Sequence, residues 1–388
     1  MMKLNFIDEL LDGVEIVWKR LGEVTTIKTG QSVSKQLIST NPGKYPVINS
    51  GREPLGFINK WNTDNDPIGI TTRGAGVGSI TWVESKYFRG NLNYSVTINS
   101  NQKINVRYLY HLLLEMQADI KALCTFVGIP ALNAGNLKEL KIPIPCPENP
   151  EKSLEIQEEI VRILDTFTEL TAEITAELTA RKKQYNYYRE QLLSFEEGEV
   201  EWKPLGETLV RTKGTKITAG QMKELHKINA PLKIFAGGKT IAFVDFEDIP
   251  KKDINREPSI IVKSRGNIEF EYYDKPFSHK NEMWSYHSKN KNINIKFVYY
   301  FLKINELYFQ NIGSRMQMPQ IATPDTDKFK IPVPPIEEQD RIVSILDKFD
   351  ALTSSITEGL PREIELRQKQ YEYYRNMLLS FPKEEVEK

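Results

Sequence analysis

"RKKQYNYYREQLLSF", residues 181–195, is written again as "RQKQYEYYRNMLLSF" at 367–381. Repetition on this scale decides the architecture, because an internal repeat constrains the fold before any single element does. Working outward, "IVRILDTFTEL" at 160–170 becomes "IVSILDKFDAL" at 342–352, and "KIPIP" at 141–145 becomes "KIPVP" at 330–334. Upstream, "NQKINVRYLYHLLL" at 101–114 matches "NKNINIKFVYYFLK" at 290–303, and "ITTRGAG" at 70–76 is echoed by "VKSRGNI" at 262–268. "WKRLGEV" at 18–24 returns as "WKPLGET" at 202–208. The offset stays between 182 and 192 residues, so the chain is a tandem duplication. Likeness is high after each Ile-Pro-x-Pro and low before it. Two connectors therefore do one job, and two bodies do related jobs on different targets.

The connectors have helical periodicity. Apolar or aromatic residues fall at Ile160, Ile163, Phe167, Leu170, Ile174, Leu178, Tyr185, Tyr188, Leu192 and Phe195, in steps of three and four as in a coiled-coil seam. The second connector follows the same course from Ile342 through Ile356 to Phe381, and "EGLP" at 358–361 should loosen or break it. Two such helices can pack antiparallel with one body at each end. The bodies mix short β-branched, Gly-bounded runs such as "KYPVINSG" and "SITWVES" with an amphipathic helix at 106–123. The expected fold class is α+β: two similar globular domains joined by two long antiparallel coiled-coil helices. The expected bounds are 1–150 and 197–335 for the domains, with connectors at 151–196 and 336–388.

Net charge is zero across 388 residues, but it is partitioned. Trp18–Lys141 carries 15 basic against 8 acidic residues and Trp202–Lys330 carries 22 against 14, which leaves the remainder acidic. Basic bodies suit a polyanion, and acidic connectors suit protein rather than DNA. The start, "MMKLNFIDELLDG", is acidic where a signal peptide would be basic, and no apolar run approaches the ~20 residues of a membrane span. Two cysteines, Cys124 and Cys146, point to a reducing compartment. A soluble, cytoplasmic protein without a membrane partner is expected.

Catalytic signatures are missing. "AGGKT" at 236–240 has Lys233 where a phosphate loop needs its first glycine, so a β-turn is expected there. "RGAGVGS" at 73–79 lacks the third glycine of a dinucleotide fingerprint. His111, His226, His279 and His287 have no metal-ligand spacing, no nucleophile elbow occurs, and the carboxylates of the helices are explained by solvated faces. A binding protein is the expectation. A two-headed protein scaffold, or a nuclease or methyltransferase with an unrecognised site, stays compatible with the residues.

The ordered set "WKxLGE", basic body, "IPxP", then an "IVxILDxF" helix ending in "QYxYYRxxLLSF", all repeated, resembles the specificity subunit of type I restriction-modification systems. The resemblance covers essentially the whole chain. It implies two target recognition domains, each reading half of a split, asymmetric site in double-stranded DNA. It also implies two methyltransferase subunits on the helices and restriction subunits in the full complex. S-adenosylmethionine, ATP and Mg would serve those partners, with no cofactor and no metal on this chain.

Candidate site residues follow. Arg73 and Arg265 end matching strands, where a guanidinium could grip a phosphate or a guanine edge, or be a buried structural arginine. Lys28, Gln31, Arg211, Lys213 and Lys216 flank matching early loops. Tyr187, Tyr188, Tyr373 and Tyr374 cannot all face one seam together with Tyr185 and Tyr371; some offer area to a partner, or they cap the helix pair. "TAEITAEL" spans Thr171, Ala172, Glu173, Ile174, Thr175, Ala176, Glu177 and Leu178. A unit of four lengthens a helix by ~6 Å and turns it a net ~40°. That rotation is close to one base pair of DNA, so the segment reads as a spacer-setting ruler, and equally as a product of replication slippage.

Overall fold

The computed structural model describes residues 11, 13–51, 53–196, 198–238, 240–313, 318–355 and 357–381. The chain divides into two compact units, Met1–Ile174 with Ile364–Lys388, and Thr175–Glu363. In each unit the most repeated short motifs are one another's partners. Strand Ile16–Arg20 pairs antiparallel with Lys141–Pro145, setting Trp18 opposite Pro143, and Glu201–Pro204 pairs with Lys330–Val333, setting Trp202 opposite Pro332. Prolines are tolerated because a two-stranded ribbon is all edge. Each ribbon clasps the beginning of a body to its end. Everything between can diverge without disturbing the clasp.

Each body holds a four-stranded antiparallel sheet. In the first the order is Thr25–Thr29, Asn93–Ile98, Ile68–Thr71, Ile80–Trp82; in the second it is Val210–Thr212, Trp284–His287, Ser259–Lys263, Glu269–Tyr273. A three-stranded sheet accompanies it, formed by Phe57–Ile58, Pro42–Ile48 and Phe88–Arg89, or by Ile241–Val244, Leu232–Phe235 and Phe277–His279. The last two strands of each trio run parallel. The helix expected over 106–123 is two helices, Val106–Glu115 and Gln117–Ala122, because Met116 at ψ 15° interrupts the turn. The "AGGKT" segment joins two antiparallel strands as the turn expected of it, with Lys239 outside the described residues.

The first connector is a single helix, Pro150–Leu192, that begins in one unit and ends in the other. Its buried face near the start is Ser153, Ile156, Gln157, Ile160 and Leu164. The expected seam differs here: Leu164 is buried, Ile163 only half-buried, and Leu170 exposed. A helix packed on a whole α+β body buries a wider stripe than a coiled-coil seam does. Phe195 lies beyond the helix end and packs edge-on to Phe297, at 6.2 Å between ring centroids. The second connector is two helices, Ile336–Ser354 and Leu360–Leu379, broken where "EGLP" predicted. Gly359 has φ +80° there, and a Cβ would lie 2.4 Å from the Ala351 carbonyl oxygen. Ile356, expected in the seam, is outside the described residues. Among the described residues no helix is long and apolar enough to cross a membrane.

One buried glutamine and one carboxylate anchor each body to its connector. The Oε1 of Gln157 accepts the Asn105 N–H at 2.8 Å, and Gln339 accepts the Asn294 N–H at 2.9 Å. Asn105 and Asn294 in turn cap the matching helices Val106–Glu115 and Ile295–Ile304 through their side-chain oxygens. Asp165 accepts from Arg107 Nε and His111 Nε2, both at 2.8 Å. Asp347 accepts from Lys296 Nζ at 2.7 Å and the Tyr300 hydroxyl at 2.5 Å. The "LLSF" ends close the arrangement: Leu378, Leu379 and Phe381 lie in the first unit's core, and Leu193 lies in the second's with Leu192 and Phe195 against it.

Candidate nucleic-acid interface

Both Arg-Gly pairs form the same backbone corner. Gly74 N–H donates to the Pro130 carbonyl at 2.9 Å and Leu132 N–H to that of Thr72 at 2.8 Å. In the second body Gly266 N–H donates to Pro319 at 2.8 Å and Ile321 N–H to Ser264 at 3.0 Å. The glycines sit at φ +92° and +76°, a conformation other residues adopt only under strain. Arg73 and Arg265 are exposed, so neither is a buried structural arginine. Their neighbours differ. The Glu282 carboxyl is held below its usual range: burial opposes this, but hydrogen bonds from Lys280 and the backbone outweigh it, helped by the Lys280 charge and, least, by that of Arg265. Leu92 takes the corresponding place in the first body, where its carbonyl accepts the Thr72 N–H at 2.9 Å.

The early-loop residues gather in matching clefts. One is lined by Lys28, Gly30, Gln31, Asn62, Thr63, Asp64, Asp66 and Arg89 with Thr29 and Ser95. Its counterpart is lined by Thr212, Lys213, Gly214, Lys216, Lys252, Asp253, Asn255 and Asn281. The same turn builds both. Gln31 N–H donates to the Arg89 carbonyl at 2.9 Å, and Thr215 N–H to that of His279 at 2.7 Å. Glycine precedes each because the backbones nearly touch: a Cβ on Gly30 would be 2.3 Å from the Gly90 oxygen, and one on Gly214 2.4 Å from the His279 oxygen.

Register brings cleft and corner together. Thr29 pairs with Tyr94 and Thr71 with Asn93, so the strand ends that lead to Gln31 and Arg73 leave the same end of the sheet. In the second body Thr212 pairs with Ser285 and Val262 with Trp284, placing Lys213, Lys216 and Arg265 alike. Lys28, Gln31, Lys213 and Lys216 are all exposed. Arg211 is placed otherwise: its Nη1 lies 2.6 Å from Asp327, whose other oxygen accepts the Tyr286 hydroxyl at 2.6 Å. That guanidinium braces the helix Thr323–Asp327 against the sheet.

The floors of the two clefts differ most. Arg89 is buried, and its guanidinium donates to the carbonyls of Ile68 (3.1 Å), Tyr94 (2.9 Å) and Asp66 (2.8 Å), to Asn93 Oδ1 (2.8 Å), and to the Tyr87 hydroxyl. His279 stands on the same rung of the second body, also buried. Its Nδ1–H donates to the Lys280 carbonyl at 3.1 Å, which leaves Nε2 to accept from Ser285 or Thr212 hydroxyls at 3.3 and 3.4 Å. Burial pushes this imidazole below its ordinary pKa.

Of the four candidate connector tyrosines, Tyr374 packs inward and Tyr188, though partly exposed, stacks on a ring of the second connector. Tyr374 stacks on Phe167 at 4.8 Å and Tyr188 on Phe349 at 5.9 Å. Tyr187 and Tyr373 stay 61% and 64% exposed, each edge-on to the tyrosine after it. Thr171 through Leu178 lie within the unbroken first helix, and the division between the units falls between Ile174 and Thr175.

A family model described as "Type I restriction modification DNA specificity domain" matches residues 14–181 and 213–366. The chain is 37% identical to the type I restriction enzyme EcoR124I/EcoR124II specificity subunit of Escherichia coli, covering 100% of this chain and 99% of that one. It is 33% identical to the EcoprrI specificity subunit of Escherichia coli, over 92% of this chain and 93% of that one. A crystal structure of the type I restriction-modification S subunit from M. genitalium shares the fold, with a TM-score of 0.63 at 20% identity over 96% and 97% of the two chains. The matches span both repeats and essentially the full length, and this chain belongs to the type I restriction-modification specificity family.

Proposed function

We propose that this chain is the sequence-reading subunit of a type I restriction-modification complex. It recognises a bipartite, asymmetric site in double-stranded DNA, one half per body, and directs modification and restriction subunits to it. The recognition domains are 1–150 and 197–335, and the connectors 151–196 and 336–388. Adenine methylation with S-adenosylmethionine, and ATP- and Mg-dependent cleavage, belong to the partner subunits; this chain is non-catalytic and works in the cytoplasm. One observation carries the reading: a single backbone design is built twice, while the side chains lining its cleft and corner change. Fixed geometry with variable lining is what reading two different half-sites requires. Phosphate contacts at the exposed lysines would supply affinity, and base-edge contacts at the corners the choice of sequence.

The test is to express the chain with its modification subunit and map methylated adenines across a genome. The expected result is one motif of two unlike half-sites separated by a fixed gap. A single continuous motif, or none, would overturn the reading. On the connectors, Tyr187→Ala with Tyr373→Ala should weaken assembly with the modification subunits while the fold survives, because these rings present aromatic area outward. Unchanged stoichiometry by native mass measurement would place the partner elsewhere.

A further inference from the structure

The segment beside the Arg73 corner is unusual for a protein surface. Phe126, Val127 and Ile129 are 63%, 97% and 61% exposed at the tip of the loop joining Thr125 to Ala131. The tip is not a loose strand end. Thr125 N–H donates to the Ala131 carbonyl at 2.8 Å and Ala131 N–H returns the bond at 3.0 Å, closing a tight hairpin. Gly128 turns it at φ +78°, with open space where a Cβ would stand. The base of the hairpin is pinned to the corner, since Pro130 accepts the Gly74 N–H and Ala131 bridges Arg73. In the second body Met318, next to Pro319 at the matching corner, is 63% exposed.

Three rigidly presented apolar side chains in water cost stability unless something covers them. Charge narrows the choice of occupant. Exposed Arg73 stands at the hairpin's base, with no ion-pair partner among the described residues, and Lys28 lies towards the same end of the sheet. A cation flanking an apolar tip suits a DNA groove, where phosphates meet the cation and an apolar wedge can enter a base step. We propose that the Phe126–Ile129 tip inserts into the DNA groove of the half-site read by the first body and partly unstacks one base step, with Arg73 as its anchor. This rests on the function proposed above. It adds a deformation component to recognition, so that flexible steps are favoured at the wedge whether or not their edges are read.

The test uses the chain assembled with its modification subunits and duplexes in which 2-aminopurine is scanned through each half-site, once methylation mapping has defined them. The wild-type complex should brighten 2-aminopurine at one step of the first body's half-site. Phe126→Ser with Val127→Asn, both on the surface, should abolish that signal and weaken specific binding about tenfold, leaving the salt dependence and the other half-site unchanged. Brightening and affinity retained in the variant would overturn the wedge while leaving bipartite recognition intact. Loss of the modification subunit from the variant, with DNA contacts otherwise normal, would also overturn it and mark the tip as a protein contact. A wild-type complex with no bipartite specificity would overturn both this inference and the function beneath it.

Discussion

Arg89 and His279 occupy the same rung of the same sheet in two halves of one chain, and they solve the same problem differently. Each offers its main-chain carbonyl to the turn that shapes a cleft. The side chain is not needed for that bond, so it can change. In the first body a buried cation is satisfied by carbonyls and by Asp66, whose carboxylate lies 3.5 Å away. In the second a neutral imidazole sits among hydroxyls. The rims change with the floors: Asp64 and Asp66 accompany Lys28 in one, whereas Lys213, Lys216 and Lys252 surround Asp253 in the other. Backbone hydrogen bonds fix the frame, and side chains are released to set polarity.

The largest expected effect tests that claim at the floors. Arg89→Leu would leave the carbonyls of Ile68, Tyr94 and Asp66 without their shared donor, which should destabilise the first unit by roughly 3–5 kcal/mol. His279→Leu removes the 3.1 Å bond to the Lys280 carbonyl and the one long bond that Nε2 accepts from the Ser285 or Thr212 hydroxyl, and should cost the second unit about 1–2 kcal/mol. Denaturant unfolding followed by probes in each unit would measure both. Equal losses would mean that the two floors carry the same load and that the comparison fails.

The corners come next. Arg73 has no ion-pair partner among the described residues, whereas Arg265 shares its field with Glu282. If both reach DNA, Arg73→Ala should weaken binding by roughly 1–3 kcal/mol and Arg265→Ala by the smaller part of that range. A base contact would relax the choice at one position, and a phosphate contact would lower the salt slope by about one. Normal affinity with normal salt dependence for both variants would remove the corners from the interface.

Much of this was legible in the sequence. The duplication gave two bodies and two connectors, and the glycine-bounded β-branched runs gave their strands. The matching corners at Arg73 and Arg265 are legible because the two residues hold equivalent places in otherwise dissimilar stretches. Asp165 and Asp347 were missed. Carboxylates on amphipathic helices read as parts of solvated faces, yet each is clamped by a basic side chain and a second donor from a helix 47–58 residues earlier: Arg107 with His111, and Lys296 with Tyr300. Helical periodicity reports which face is buried by apolar groups, not which polar group meets a distant partner. The signal that could have found them is identity: "ILD" is unchanged between repeats while the next residue goes from Thr166 to Lys348. The wider buried stripe around Leu164 escaped for a similar reason, since a seam pattern presumes a helical partner.

Acid should separate the two units in a third way. Burial drives the His111 imidazole down to about 4, against the Asp165 hydrogen bond, and the Arg107 and Arg375 charges push the same way as burial. Tyr371 completes the site, its hydroxyl 2.9 Å from Nδ1. An unfolded histidine titrates near ~6.5, so between that pH and about 4 the unfolded chain binds the extra proton and stability falls as pH falls. About 1–2 kcal/mol should be lost from the first unit by pH ~5. His279 is lowered in the same direction, so the second unit also weakens, but at its cleft rather than at its connector, where Tyr300 replaces the histidine. Amide exchange at about pH 7.5 and about pH 5.5 should lose protection around 106–115 in the first unit and around 212–215 in the second. Uniform loss in both places would break the distinction.

The smallest energetic effect concerns the segment that the two units divide between them. "TAEITAEL" lies within one unbroken helix, Thr171 and Thr179 hydroxyls donate back to the carbonyls of Phe167 and Thr175 at 2.7 and 3.0 Å, and all of 171–178 is exposed or half-buried. Inserting Thr-Ala-Glu-Leu after Leu178 therefore adds a turn without exposing a new apolar face, and stability should barely change. Each added unit advances ~6 Å and a net ~40°, against ~3.4 Å and ~34–36° per base pair. The rotation matches one base pair and the translation approaches two. The second connector is already two helices, one ending at Ser354 and the next starting at Leu360, so it can absorb the mismatch by bending rather than by lengthening. The expected outcome is that both half-sites keep their bases while the gap between them widens by one base pair, or at most two. Genome-wide methylation maps of the chain and its insertion variant decide it. An unchanged gap, or altered bases in either half-site, would show that the spacing is set elsewhere, and that the repeat is only a tolerant stretch of helix.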